Sequence, residues 1–106
     1  MVSEEPAILA TIAAYASAYT RLDAASVKRL YPSVNEQELR RAFSDLKSQQ
    51  VSIQGQRIVV NSDKATVTCV QVTSLVPKAG ISHSDSRQTV FQLEKLNGAW
   101  IIVGRR

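Results

Sequence analysis

The spacing of the apolar residues changes near Val51, and this change limits the folds that the chain can adopt. Before it, apolar side chains recur at the three- and four-residue intervals that place them on one face of an α-helix. The longest such stripe consists of Ile8, Ile12, Tyr15, Tyr19 and Leu22. After it, apolar and polar residues alternate in runs rich in valine, isoleucine and threonine, as in β-strands. The sequence therefore predicts an α+β fold in which the helices precede the strands.

Residues that commonly begin and end helices divide the first half of the chain into three helices. Ser3 is predicted to cap the first helix, and Asp23 is predicted to cap the second by accepting backbone N–H groups of its first turn. Pro32 ends the second helix, and Asn35 begins the third. The predicted helices span about residues 4–22, 24–31 and 36–48.

Turn residues divide the second half into strands, predicted at about residues 51–60, 64–76, 86–96 and 99–105. The apolar parity reverses around Gly55, which indicates a β-bulge or a bend, and reverses again after Cys69, which predicts a bend in the second strand. The polar residues 77–86 are predicted to form a loop. Asn97-Gly98 is a strong signal for a two-residue β-hairpin.

The Asn97-Gly98 turn sets the register of the last two strands. Leu93 then faces Ile102 and Phe91 faces Gly104, so one face of the hairpin carries large apolar residues suited to a core. The other face is also partly apolar, and three short helices can cover one face of a sheet. We therefore predict that a second copy of the chain covers this face and forms a homodimer. The predicted dimer interface consists of Val90, Gln92, Glu94, Ile101, Val103 and Arg105.

This order of elements, with a W-x-I pattern after an Asn-Gly turn, resembles the nuclear transport factor 2-like (NTF2-like) superfamily, which includes SnoaL-like and ketosteroid-isomerase-like proteins. The helical residues that carry the resemblance are Tyr15, Ala18, Tyr19, Asp23, Val27, Tyr31 and Pro32. The strand residues that carry it are Ile58, Val60, Ala65, Val67, Phe91, Leu93, Gly98, Trp100 and Ile102. The resemblance implies one domain, residues 1–106, in which the helices pack in the concave face of a strongly bent, mainly antiparallel sheet of about four strands. This is a cone-like α+β barrel of the cystatin-like type.

The resemblance also implies a pocket at the open end of the cone, suited to a small apolar ligand. The residues predicted to line it are Tyr15, Tyr19, Phe91 and Trp100. Three residues, Pro32-Ser33-Val34, separate the second helix from the third, where larger members have additional structure. This compact form resembles bacterial domains appended to larger proteins, similar in principle to the association domain of calcium/calmodulin-dependent kinase II. A sensing or assembly domain is therefore implied.

The acidic residues are poorly placed for catalysis in this reading. Asp23 could act as a general base in an apolar pocket, but its position at a helix start favours capping, because amide donors stabilise the charged carboxylate. In ketosteroid isomerases the catalytic aspartates lie in the sheet region. Here Asp63 and Asp85 are predicted in a turn and a loop, and Glu94 on the outer sheet face. We therefore assign no catalytic residue.

Other catalytic and binding motifs are also lacking in the sequence. Ser82–Ser86 contains serine, histidine and aspartate, but neighbours within one loop cannot form a triad. His83 is the single histidine and Cys69 the single cysteine, so the sequence offers no intrachain disulfide and no metal site. Its four glycines are too widely separated for a phosphate-binding loop. We predict no cofactor.

The charge and composition exclude several classes of protein. The formal net charge of +4 raises the question of nucleic acid, but the basic residues are scattered and no nucleic-acid partner is predicted. No stretch approaches the ~18 apolar residues of a membrane span, so no membrane insertion is predicted. The first residues are acidic rather than basic, unlike a secretory signal. We expect a cytoplasmic protein or, alternatively, a domain of a longer protein that could be membrane-anchored.

Two functions are compatible with these observations. The favoured one is a non-catalytic dimerising module that binds a small apolar ligand. The alternative is a small SnoaL-like enzyme (an isomerase, cyclase or dehydratase) that works by acid–base chemistry. The fold alone does not choose between them, because one fold can host both.

Overall fold

A computed structural model describes residues 4–106, which form three helices and one four-stranded antiparallel sheet. The helices are α1 (Glu5–Thr20), α2 (Ala24–Leu30) and α3 (Glu36–Ser44). The strands are β1 (Leu46–Asn61), β2 (Lys64–Pro77), β3 (His83–Leu96) and β4 (Ala99–Arg105), and they lie side by side in this order. The predicted α+β class is therefore confirmed. Ser3, the predicted cap of α1, lies outside the described residues.

The helices α2 and α3 begin where side chains accept free backbone N–H groups. Asp23 accepts the backbone N–H of Ser26 with its Oδ1 at 3.1 Å, as predicted for a cap of α2. Asn35 caps α3 in the same way, through the backbone N–H of Glu38 at 3.1 Å. Within residues 4–106, no helix combines the length and the apolar character needed to traverse a lipid bilayer.

The sheet begins earlier in the chain than predicted. The helix α3 ends at Ser44 rather than near residue 48, and β1 starts at Leu46 rather than at Val51. Residues 47–50 are polar and carry little strand signal of their own. They extend the sheet because they reach the far end of β2, where Gln49 pairs with Leu75. Pairing between distant segments therefore overrides local preference at this boundary.

A β-bulge at Gly55 keeps the apolar residues of β1 on one face, as predicted. The register of β1 against β2 shifts between Gln54 and Arg57, and Gly55 has a φ of 60°. Ile53 before the bulge and Ile58 after it both pack against the core, although their sequence parity differs. The extra residue in the bulge shifts the alternation of side chains by one position, so that Ile53 and Ile58 lie on the same face.

The core lies between α1 and the side of the sheet that faces the helices, which we call the inner face. The helix α1 contributes Ile8, Ile12 and Tyr15, all fully buried. The sheet residues of the core cluster are Ala65, Val67, Cys69, Phe91, Leu93, Trp100 and Ile102. The opposite side of the sheet is the outer face.

The apolar parity of β2 reverses where the core ends, and the bend predicted there stays a prediction. Residues 64–75 pair with β3 in one unbroken register. Val67 and Cys69 are buried on the inner face, and Gln71 and Thr73 continue along that same face with partial exposure. The apolar core does not extend to this end of β2, so polar side chains occupy the inner face there.

A second bulge, which the sequence reading missed, turns Arg105 toward the helices. The pairs nearest the Asn97-Gly98 turn follow the predicted register. Farther along, Val103 is an additional residue in β4, so that Phe91 faces Arg105 rather than Gly104. Arg105 therefore lies on the inner face. Its predicted place in an outer-face dimer interface is wrong.

Candidate functional site

A cleft of about 370 Å³ lies on the inner face, beyond the apolar core, and we call it the inner-face cleft. Its residues from β2 are Gln71, Thr73 and Leu75. Its residues from β3 are His83, Asp85, Arg87 and Thr89, and Arg105 and Arg106 come from the chain end. The register places Arg87 opposite Gln71, Asp85 opposite Thr73 and His83 opposite Leu75. Paired strands therefore supply most of the cleft wall.

The segment that contains His83 and Asp85 is a strand and not the predicted loop. The strand β3 begins at His83, three residues before the predicted start, because this end of β3 pairs with the far end of β2. Since side chains alternate along a strand, Asp85 shares the inner face with Phe91. The expectation that no strand carboxylate has inward parity is therefore wrong for Asp85.

Strand alternation also excludes a serine–histidine–aspartate triad in this segment. Ser84 and Ser86 lie on the outer face, opposite to His83 and Asp85. The hydroxyl of Ser84 lies 3.2 Å from the hydroxyl of Ser74 on β2. The nucleophile and the base of such a triad would therefore lie on different sides of the sheet.

Arg105 and Tyr15 meet where the cleft joins the core. The Nη1 of Arg105 donates a hydrogen bond to the hydroxyl of Tyr15 at 2.5 Å. The Tyr15 ring is held edge-on by Phe91, with ring centroids 5.2 Å apart, and tilted against Tyr19 at 4.8 Å. This packing leaves the Tyr15 hydroxyl little freedom, so the tyrosine positions the guanidinium.

The hydrogen-bond partner of the charged Arg105 side chain is the neutral phenol of Tyr15. Burial raises the pKa of Tyr15 well above its ordinary value, so the phenol keeps its proton. Burial by itself would lower the pKa of Arg105, but the neighbouring Tyr15 and Tyr19 raise the pKa, so the guanidinium stays charged. Within residues 4–106, no carboxylate lies within ion-pair distance of Arg105. A guanidinium therefore faces the cleft without a protein counter-ion.

The outer part of the cleft carries a loose ion pair. The Nη2 of Arg87 lies 3.8 Å from the Oδ2 of Asp85, and the two side chains are 79% and 61% exposed. An exposed pair at this distance contributes little to stability. Both side chains therefore remain available to a bound molecule.

The four residues predicted to line a pocket lie in or against the core rather than along the cleft. Tyr15, Phe91 and Trp100 are buried, and Tyr19 is partly buried. Tyr15 reaches the cleft through its bond to Arg105. Trp100 lies at the other end of α1, where its Nε1 donates to Glu4 at 2.6 Å. The backbone carbonyl of Trp100 accepts a hydrogen bond from the hydroxyl of Thr11 at 3.3 Å, about one turn before Tyr15, so the indole lies toward the start of α1.

Glu4 ties the start of α1 to the β3–β4 hairpin. Its carboxylate accepts hydrogen bonds from the Nε1 of Trp100 and from the Nζ of Lys95, the latter at 3.1 Å. The hydrogen bond from Trp100, followed by that from Lys95, holds the pKa of Glu4 below its ordinary value. This carboxylate has a structural role.

Asp23 is a helix cap, as predicted. Its Oδ2 accepts the hydroxyl of Ser26 at 2.7 Å, in addition to the backbone bond to Oδ1. The Ser26 hydroxyl, and then the Ser26 backbone N–H, hold the pKa of Asp23 below its ordinary value. A general base needs a raised pKa, so these contacts argue against catalysis by Asp23.

The other residues of the predicted interface lie on the outer face of β3 and β4. Val90, Gln92, Glu94, Ile101 and Val103 are all half-buried there. Val59 of β1 and Val70 of β2 add exposed apolar area to the same face, and Val59 is 61% exposed. The outer face is thus a mixed surface with several β-branched residues.

Sequence reasoning missed His83, Asp85 and Arg87 as members of a site. A signal for them was present, because the odd-numbered residues from 83 onward share parity with Phe91 and Leu93. The serines and the polar character of the segment obscured it. Arg105 carried no such signal, because the bulge at Val103 reverses its face.

Solved structures of low sequence identity share this fold. An NTF2-like superfamily protein from Salmonella enterica has a TM-score of 0.80 and 14% identity, over 93% of this chain and 85% of that one. A protein from Streptomyces avermitilis, provisionally named a dehydratase of the NTF2-like family, has a TM-score of 0.80 and 12% identity, over 94% and 91% of the two chains. A protein from Xanthomonas campestris, provisionally named a calcium/calmodulin-dependent protein kinase II association domain, has a TM-score of 0.75 and 18% identity, over 93% and 82%. No protein-family model and no curated protein matches the sequence.

Proposed function

We propose that this chain, whose fold is that of NTF2-like proteins, is a non-catalytic module that dimerises through its outer sheet face and binds a small molecule in the inner-face cleft. The observation that carries the proposal is Arg105. Its guanidinium is held by Tyr15, faces the cleft and has no carboxylate partner within residues 4–106. A charge placed in this way is suited to binding, because its remaining N–H donors are available to a ligand.

The positions of the acidic groups support binding over catalysis. Asp23 and Glu4 serve as a helix cap and a tie to the hairpin, and hydrogen bonds lower both of their pKa values. Asp85 lines the cleft but is well exposed and lies beside Arg87. Acid–base catalysis favours carboxylates whose pKa is raised by burial, whereas the pKa values of Asp23 and Glu4 are lowered.

The proposed dimer rests on the outer face. Ile101 and Val103 of β4 point away from the helices together with Val90 of β3. β-branched residues on a sheet face are better stabilised by contact with a second layer than by water. The bulge at Val103 moves Arg105 to the inner face and places Arg106 opposite Val90, at the edge of the outer face.

Binding can be tested by NMR. We expect ¹⁵N–¹H spectra recorded with a panel of small acids, amides and hydrocarbons to show shifts of the amides of Gln71–Leu75 and His83–Thr89 with at least one compound. Amides of α3, such as Arg41, are the internal control. A panel in which every compound leaves the cleft amides unchanged contradicts the proposal.

The enzyme alternative has one observation in its favour, the presence of His83 and Asp85 side by side on the cleft wall. To separate the two functions, a compound that binds the cleft is incubated with the protein and analysed by mass spectrometry. The proposal expects it to be recovered unchanged. Conversion to an isomer or a dehydrated product, lost in His83→Gln, would establish the enzyme instead.

A further inference from the structure

We propose that the ligand of the inner-face cleft is a small organic acid whose carboxylate is bound by Arg105. This inference rests on the proposed binding function and narrows the chemical class of the ligand. The sequence predicted a small apolar ligand, and an organic acid adds to such a molecule the anionic group that the cleft lining requires.

The first argument is the balance of charge in the cleft. Among the residues that the structure describes, the charged side chains that line it from the inner face are two arginines, Arg87 and Arg105, and one aspartate. The aspartate, Asp85, lies beside Arg87 and leaves Arg105 uncompensated. A concave surface on which charges of one sign predominate concentrates molecules of the opposite charge.

The second argument is the geometry of Arg105. A guanidinium has five N–H donors in a rigid planar fork that fits the two oxygens of a carboxylate. Tyr15 uses one of these donors, and among residues 4–106 no other acceptor binds the Arg105 side chain. The tyrosine is buried and wedged between Phe91 and Tyr19, so Arg105 is oriented before a ligand arrives. Orientation in advance lowers the entropic cost of binding.

The third argument concerns the rest of the ligand. Arg87 lies four residues from Phe91, the partner of Arg105, which is about 14 Å along an extended strand. A carboxylate at Arg105 therefore leaves the remainder of the molecule to extend past Thr89 toward Arg87 and Gln71, which lie opposite each other. Gln71 offers an amide for a polar substituent at that end of the molecule.

Benzoate and benzamide form a matched pair of probes, because they share a ring and nearly a shape but differ in charge. We expect benzoate to shift the cleft amides in an NMR titration and to bind at least tenfold more tightly than benzamide. Charge-assisted hydrogen bonds to a guanidinium justify a difference of this size. Equal affinities would overturn the carboxylate assignment while leaving the binding function intact. A cleft that binds neither these probes nor any compound of the wider panel would remove both proposals.

Variants assign the effect to Arg105. Arg105→Gln is expected to weaken benzoate binding roughly ten- to a hundredfold and to leave benzamide binding within about twofold. Arg105→Lys should fall between, since it keeps the charge but loses the fork. The control is Arg57→Gln, an arginine on the outer face of β1, which should change neither affinity. If both substitutions of Arg105 retain benzoate affinity in folded protein, the proposal is wrong.

Tyr15→Phe tests the positioning role of the tyrosine. Removing the hydroxyl should weaken benzoate binding about threefold to tenfold and leave benzamide unaffected, because only the orientation of Arg105 is lost. Equal weakening for the two probes would point to a general structural role and contradict positioning.

Inorganic phosphate is the final probe. Phosphate binding as tight as that of benzoate would overturn the carboxylate class in favour of a general oxyanion site.

Discussion

Hydrogen bonds decide the role of individual residues that sequence reasoning left open. Asp23 could have been a base or a cap, and its two bonds to Ser26 make it a cap. Tyr15 could have been a pocket residue or a core residue. It is a buried core residue, and its hydroxyl accepts a hydrogen bond from Arg105 at the edge of the cleft.

The capping role predicts which substitutions of Asp23 are tolerated. Asp23→Ala should lower the free energy of unfolding, because the backbone N–H of Ser26 loses its acceptor. Asp23→Asn and Asp23→Ser should be nearly silent, since both side chains can cap a helix. Urea unfolding followed by circular dichroism measures the three changes. If alanine is tolerated as well as asparagine, the cap is unimportant.

The lowered pKa values of Glu4 and Asp23 predict how stability depends on pH. A carboxylate whose folded pKa is lowered stabilises the fold above its unfolded pKa, and this contribution is lost as the pH falls through the folded value. The ordinary values are 4.5 for Glu4 and 3.8 for Asp23, so stability should decline as the pH falls below about 4.5. Glu4→Gln should flatten the upper part of this decline in urea unfolding series. If the stability of Glu4→Gln depends on pH as that of the wild type does, Glu4 does not contribute to the decline.

At the scale of elements, side chains of the β3–β4 hairpin form hydrogen bonds at two separate points along α1. Near the start of α1, Trp100 and Lys95 hold Glu4. Near its end, Arg105 holds Tyr15. The bulge at Val103 makes the second contact possible, because it brings Arg105 to the same face as Trp100. One hairpin therefore supports the core and also supplies a residue of the cleft.

Trp100 should dominate the energy of these contacts. Trp100→Ala is expected to cost ~3–5 kcal/mol, since it leaves a cavity in the core and removes the donor to Glu4. Trp100→Phe, which fills most of the space, is the matched control and should cost less. The measurements are thermal unfolding and native fluorescence, which should be blue-shifted for a buried indole. Native emission at the wavelength of free tryptophan would contradict this placement.

At the scale of the whole molecule, the sheet serves a different purpose on each face. The inner face carries the core and then the cleft, whereas the outer face carries scattered apolar residues with exposed area. A face of this kind can pair with itself across a two-fold axis and form a closed dimer. An interface of about 800 Å² on each partner would be ordinary for a specific complex.

The dimer proposal predicts that Ile101→Lys gives a monomer. Near a two-fold axis the two new charges would face each other without partners. Leu9→Lys, which changes an exposed apolar residue of α1, is the control and should leave the assembly unchanged. Sedimentation velocity distinguishes the species. A wild-type protein that is monomeric at tens of micromolar would refute the dimer.

Sequence alone was sufficient for features that depend on neighbouring residues. The order of helices and strands, the caps at Asp23 and Asn35, the bulge at Gly55 and the turn at Asn97-Gly98 all agree with the structure. Each depends on periodicity, a capping side chain or a residue that tolerates positive φ. These preferences act within a few residues, so they can be read from the sequence directly.

Tertiary structure alone decided where the strands begin and which residues form the cleft. β1 starts at Leu46 and β3 at His83 because their polar ends pair with the far end of β2, a segment remote in sequence. His83, Asp85 and Arg87 line a cleft because the apolar core stops short of them, and the bulge at Val103 brings Arg105 to join them. Side chains of successive strand residues point to opposite faces of the sheet. Packing over the whole sheet decides which face the helices cover and where this covering ends.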